Sequence, residues 1–167
     1  MEMEQLLRQI GDLLISRSWM LTTAESCTGG GVANAVTSIP GSSGWFERGF
    51  VTYSNLAKQQ MLGVSVTMLQ DYGAVSEPVV RAMADGALRN SPAQVSLAIS
   101  GIAGPEGGSI DKPVGTVWFA WAVSGRATIS RRWHFDGDRT QVRARAVEAA
   151  LMGVLDILSS GGSDEHG

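Results

Sequence analysis

The chain has 167 residues, of which 44% are hydrophobic and 17% charged, and it carries a net charge of −3. This suits one globular domain with a sizeable core, and excludes a disordered chain or a broad basic footprint for nucleic acid. No apolar run is long enough to span a bilayer and the N-terminus lacks a signal-peptide pattern, so a cytoplasmic protein with no membrane partner is expected.

In chain order, residues 3–18 read as an amphipathic helix with Leu6, Ile10, Leu13 and Leu14 on one face. A β-prone run over 20–24 breaks into the turn Ala24-Glu25-Ser26-Cys27-Thr28-Gly29-Gly30, and a helix follows over about 29–38. Pro40 to Gly44 is a turn, and Phe50-Val51-Thr52-Tyr53 is short and β-prone. Ser54 or Asn55 caps a helix over 56–62 that Gly63 ends, and a short helix over 66–72 stops at Gly73. Ser76-Glu77-Pro78 starts a helix running to about Arg89, with Val79, Val80, Met83 and Ala87 inward. Val95 to Ile99 is a buried strand, followed by a Gly-rich loop from Ser100 to Pro113. Thr116 to Val123 is a second apolar strand, and Ser124-Gly125 turns the chain back into 126–135, where Ile129, Trp133 and Phe135 face one way. The last helix is expected over 139–158, burying Val142, Ala146, Ala149, Ala150 and Val154. Residues 159–167 read as a polar, disordered tail. Alternating helices and strands followed by a hairpin predict a three-layer α/β/α domain with a mixed sheet over 1–158.

The residues that carry chemistry are few. Cys27 is the single cysteine, which excludes an internal disulfide and fits a reducing cytosol. Of two histidines, His166 lies in the tail, and no Cys/His cluster has zinc spacing, so neither a metal nor a cofactor is expected. There is no P-loop, Ser26 lacks the flanking glycines of a nucleophile elbow, and position 29 is Gly where S-x-x-K would place Lys. The only lysines are Lys58 and Lys112, against eleven arginines.

Three segments follow strands and would gather at one sheet edge: the Ser26 turn, Tyr53 to Lys58, and the Ser100–Pro105 loop. A strand that turns into a helix leaves free N–H groups and a positive dipole end, which favour an anion or a developing oxyanion. The same pattern also reads as an N-cap, with Ser26 or Thr28 capping the helix. Lys58 lies about one helical turn after Tyr53. It serves as a base for a serine only if burial or a nearby cation keeps it neutral. The ordinary alternatives are a solvated lysine and a half-buried strand tyrosine.

Five ordered motifs narrow these alternatives: AESCTGG, VTYSNLAK, AISGIAGPEGG, KPVGTVWFAWA and FDGDR. Together they resemble the CinA C-terminal domain family from about residue 5 to 158. Within that family the resemblance is to the stand-alone amidohydrolases of nicotinamide mononucleotide (NMN), without the other large domain of full-length CinA proteins. The resemblance implies a Ser–Lys amidase that turns NMN into nicotinic acid mononucleotide and ammonia. By motif, Ser26 is the nucleophile, Lys58 raises its nucleophilicity and Tyr53 assists. Ser100 and Arg139 bind the nucleotide. Where some relatives carry Thr, this chain has Ser100, and either supplies a hydroxyl.

On physical grounds the N–H groups around Thr28 and Gly29 are the expected oxyanion donors, and the phosphate is expected among the amides of Ser100, Gly101 and Gly104 and at Arg139. Arg139 as an exposed residue at a helix start would be mildly unfavourable, which is a reason to expect a role. Cys27 reads as structural, with no histidine partner. Glu25 stands beside the site, and the sequence leaves open whether it orients Lys58 or Tyr53. A homodimer would fit, because α/β sites often lie near subunit contacts, though no residue identifies the contact. Two other readings stay open: a family member that binds a nucleotide without turnover, and an amidase for another small carboxamide.

Overall fold

The computed structural model describes residues 1–164. Six helices and five strands follow in the order α1 (Met3–Ser16), β1 (Leu21–Glu25), α2 (Gly31–Thr37), β2 (Phe46–Val51), α3 (Asn55–Leu62), α4 (Val66–Tyr72), α5 (Glu77–Arg89), β3 (Val95–Gly101), β4 (Thr116–Val123), β5 (Ile129–His134) and α6 (Arg139–Asp164). The strands form one mixed sheet of order β2-β1-β3-β4-β5. β1 pairs in parallel with β2 and β3, and the β4–β5 hairpin adds two antiparallel strands.

Period-two alternation gives the two sheet faces different sizes. Leu21, Leu97, Ile99, Val117, Phe119 and Trp121 face α1, α2 and α6 and build the larger core with Leu7, Ile10 and Val154. Ala24, Ala98, Ala120 and Ala122 face the other way, against Leu62 of α3, Leu69 of α4 and Val79, Val80 and Met83 of α5. Small side chains let α5 approach closely. Ser96 Oγ donates to the Ala84 carbonyl at 2.8 Å. At Gly86 a Cβ would stand 2.1 Å from the Leu62 carbonyl oxygen, so only glycine lets α5 lie against the end of α3. The expected three-layer α/β/α arrangement is the one observed.

Several boundaries differ from the sequence reading. α1 ends at Ser16 because the amides of Arg17 and Trp19 both close on Leu14 O and Ser18 takes φ +55°. β2 starts at Phe46 and stops before Tyr53. It is an edge strand, whose Glu47, Arg48 and Gly49 hide any alternation. β5 is the other edge, and Ile129 and Trp133 stay half-exposed there. α6 continues past 158 to Asp164, into the stretch expected to be a disordered tail. Residues 165–167, with His166, lie outside the described residues.

Candidate active site

The chain runs from β1 to β2 on one side and then crosses to β3 on the other. Connections that diverge in this way leave a crevice beyond the carboxyl ends of the central strands. The crevice has a volume of about 320 Å³. Its lining includes Ser26 and Cys27 after β1, Tyr53, Asn55 and Lys58 after β2, the Ser100–Gly104 loop with Glu106 after β3, and Arg139 at the start of α6. All three segments expected at the sheet edge therefore meet.

β1 ends at Glu25, and the Ser26 amide donates to the Ile99 carbonyl at 3.0 Å. That bond ties the start of the turn to β3. Ser54 caps α3 by accepting from the Ala57 amide at 3.0 Å, which places Lys58 in the first turn. Helical side chains point back toward the N-terminus, so Lys58 reaches toward the strand ends. Its Nζ lies 3.1 Å from Ser26 Oγ and donates to the Tyr53 carbonyl at 3.2 Å.

Lys58 is 1% exposed and, among the described residues, no carboxylate forms an ion pair with it. Burial lowers its pKa from the ordinary value, against the opposing field of Cys27. A neutral Nζ has two hydrogens and one lone pair. With one hydrogen on Tyr53 O, the lone pair is left to accept from Ser26 Oγ. Burial also pushes the Cys27 thiol up to about 11, outweighing its backbone hydrogen bond and the positive fields of Arg143 and Arg139. Cys27 is therefore a protonated packing residue near neutral pH.

Glu25 turns away from Lys58. Strand parity puts its side chain on the α2 face, opposite α3. One of its oxygens accepts from Thr28 Oγ1 at 2.6 Å and from the Val32 amide at 2.8 Å, and the other accepts from the Ala33 amide at 3.1 Å. This carboxylate satisfies two orphan donors at the start of α2, where the helix dipole also favours it. Glu25→Ala should cost about 2–4 kcal/mol of stability, because buried charge-assisted bonds are lost and their donors left unpaired. Urea unfolding measures the loss. A change below about 0.5 kcal/mol, the scale of a surface substitution, would contradict this role.

The remaining expected residues are each engaged by the protein itself. Tyr53 is 63% exposed. Its carbonyl meets Lys58, while its hydroxyl lies 3.4 Å from Arg139 Nη2. Ser100, 1% exposed, donates its hydroxyl to the Ala74 carbonyl at 2.8 Å. Arg139 Nη1 donates to the Gly104 carbonyl at 2.9 Å, and Gly104 holds φ +84° with Val114 packed where a Cβ would go. One amide expected as an oxyanion donor is taken, and so is the Ile102 amide of the loop after β3. Gly29 N–H donates to Ser26 O at 3.0 Å, and Ile102 N–H donates to Thr116 O at 2.9 Å. Arg143 was not singled out by its sequence. Its Nε donates to the Cys27 carbonyl at 3.0 Å and its Nη2 to the Thr28 carbonyl at 3.3 Å. The available signal was its place one helical turn after Arg139.

A model of the CinA C-terminal domain matches residues 3–158. The chain belongs to the CinA C-terminal domain family. This CinA-family chain is 58% identical over 150 residues to the nicotinamide-nucleotide amidohydrolase PncC of Escherichia coli strain K12, covering 90% of this chain and 91% of the relative. PncC of Pseudomonas putida is 52% identical over 149 residues, covering 89% and 92%. Among solved structures, the CinA superfamily protein of Klebsiella pneumoniae 700603 superposes with a TM-score of 0.91 at 40% identity, covering 96% of this chain and 99% of that one. Among the described residues of this CinA domain, no group of His, Cys, Asp and Glu could hold a metal ion, and no helix is long and apolar enough to cross a membrane. A second hollow, of about 390 Å³ between β5 and α6, is lined by Trp121, Trp133 and Phe135 and holds none of the expected site residues.

Proposed function

We propose that this protein hydrolyses the carboxamide of NMN, giving nicotinic acid mononucleotide and ammonia through an acyl-enzyme on Ser26. The observation that carries the reading is the buried Lys58 Nζ, 3.1 Å from Ser26 Oγ and without a carboxylate partner. The names of the relatives support the substrate: the two described above are both nicotinamide-nucleotide amidohydrolases and match about nine-tenths of the chain.

In this mechanism neutral Lys58 accepts the Ser26 proton as Oγ attacks the carboxamide carbon. The charge that develops on the carbonyl oxygen is met by the Thr28 N–H, since the Gly29 amide already donates to Ser26 O. Lys58 returns the proton to the leaving nitrogen, the C–N bond breaks and ammonia departs. A water, giving a proton to the same Nζ, then attacks the acyl carbon; Nζ passes that proton to Ser26 Oγ as the acyl C–O bond breaks, which releases the acid and restores Ser26 and neutral Lys58. Cys27, a free buried thiol, fits the reducing cytoplasm as the place of this reaction.

The phosphate is assigned to Arg139, whose hold on Gly104 O orients its fork beside the loop. Arg139→Ala should weaken NMN binding by about 1.5–3 kcal/mol, the range for a hydrogen bond to a charged group. Most of that loss should vanish with nicotinamide riboside, which lacks the phosphate. An equal loss with both ligands would remove the phosphate role.

Ammonia release from NMN, nicotinamide riboside and nicotinamide tests the whole reading. Turnover of NMN with little from the other two is expected. Turnover of none would make the protein a nucleotide-binding module, and preference for another carboxamide would make it a different amidase.

A further inference from the structure

Arg143 lies in α6 one helical turn after Arg139, on the same side of the helix. It spends two donors on two consecutive carbonyls, those of Cys27 and Thr28. In a planar trans peptide the carbonyl and the next N–H point in opposite directions. Drawing the Cys27 carbonyl toward α6 therefore turns the Thr28 N–H away from α6. That side of the sheet carries α3 and Lys58. The Thr28 carbonyl is held by the Gly31 N–H at 2.9 Å as well as by Arg143, and the Gly29 N–H points back and closes on Ser26 O at 3.0 Å. The Thr28 hydroxyl is held by Glu25 at 2.6 Å, so the side chain of Thr28 is fixed as well. At Gly29, with φ +59°, a Cβ would stand 3.4 Å from Arg143 Nη2.

We propose that Arg143 is a positioning residue, holding the peptide planes of the Ser26 turn so that the Thr28 N–H is aimed at the oxyanion. The inference rests on the Ser26 nucleophile proposed above and adds the group that orients its oxyanion donor. A guanidinium suits the task because its donors are fixed in one plane and meet two carbonyls at once, whereas an ammonium is a point charge on a flexible stem. Its charge also polarises the Cys27–Thr28 peptide and strengthens the N–H as a donor.

The test measures two quantities on the full chain: the rate at which a fluorophosphonate labels Ser26, and kcat and KM for NMN. Labelling needs Ser26 and its oxyanion donors but no nucleotide. Arg143→Gln should slow labelling and lower kcat by about 10–100-fold, with KM changed less than about threefold, since a displaced turn weakens the transition state only. Arg143→Lys should fall between it and the wild type. Labelling of Arg143→Gln at the wild-type rate, or a loss carried wholly by KM, overturns the proposal. If Arg143→Gln melts below the assay temperature, Arg143→Lys decides alone, and labelling at the wild-type rate overturns it. A wild type that is labelled but releases no ammonia from NMN overturns the substrate and leaves the labelling test of Arg143 intact. An unlabelled wild type overturns Ser26 as nucleophile and this inference with it.

Discussion

Ser26→Ala should lower ammonia release from NMN by at least about 10⁴-fold, the scale seen when a covalent nucleophile is removed. The fold should survive, because the bonds that shape the turn do not use the hydroxyl. The Ser26 amide still donates to Ile99 O, the Gly29 amide still closes on Ser26 O, and Arg143 still holds Cys27 O and Thr28 O. NMN binding should change little, since the phosphate is assigned to Arg139. Cys27→Ser is the control and should keep most of the activity, because burial leaves the Cys27 thiol protonated well above neutral pH. Steady-state ammonia release and titration of NMN binding read the two effects separately. Turnover by Ser26→Ala near the wild-type rate would end the acyl-enzyme assignment.

Lys58→Arg should lower kcat by about 10²–10⁴-fold although it keeps the positive charge, because a guanidinium stays protonated and cannot accept the Ser26 proton. Lys58→Met should lose as much activity. In the wild type, activity should rise with pH as the buried Lys58 loses its proton, with a midpoint below the ordinary lysine value of 10.5. The cationic pyridinium of bound NMN repels an ammonium, so the pKa seen in kcat should lie below that seen in kcat/KM. Stability follows pH in the same direction for this residue. Between its lowered folded pKa and its unfolded value, the folded chain holds fewer protons than the unfolded chain, so stability rises with pH across that window. At neutral pH Lys58→Met should therefore melt higher than the wild type, and the gap should narrow as pH approaches the ordinary lysine value. Substantial turnover by Lys58→Arg would show that charge suffices and that another group takes the proton.

Much of the architecture was legible locally. Ser54 and Gly63 bracket α3 as their residue types predict, and Gly73 stops α4 where expected. Val79, Val80, Met83 and Ala87 are buried at helical spacing, and the apolar runs 95–99 and 116–123 lie in buried strands as their content predicts. β2 was harder to place, because an edge strand needs only one paired side and tolerates Glu47, Arg48 and Gly49. The end of α6 was placed too early, because the small polar residues after Leu158 read as tail while the helix runs to Asp164.

The amino-acid sequence by itself determined the order of elements, the Ser26 turn and the five motifs of the CinA C-terminal domain family. Caps, glycines and periodicity act within a few residues, so one chain segment carries their signal. The tertiary structure alone decided how those segments are used. Lys58 could have been a solvated lysine; the β2-β1-β3 order and the packing of α3 bury it against Ser26, and removal from water is what lowers its pKa. Glu25 could have faced Lys58; strand parity and the start of α2 turn it to Thr28, Val32 and Ala33 instead. Arg143 is 115 residues from Thr28 in sequence, and only the docking of α6 brings its guanidinium to that turn. Each of these outcomes depends on which elements become neighbours, and hydrogen bonds and desolvation act through that spatial proximity, which no local pattern encodes.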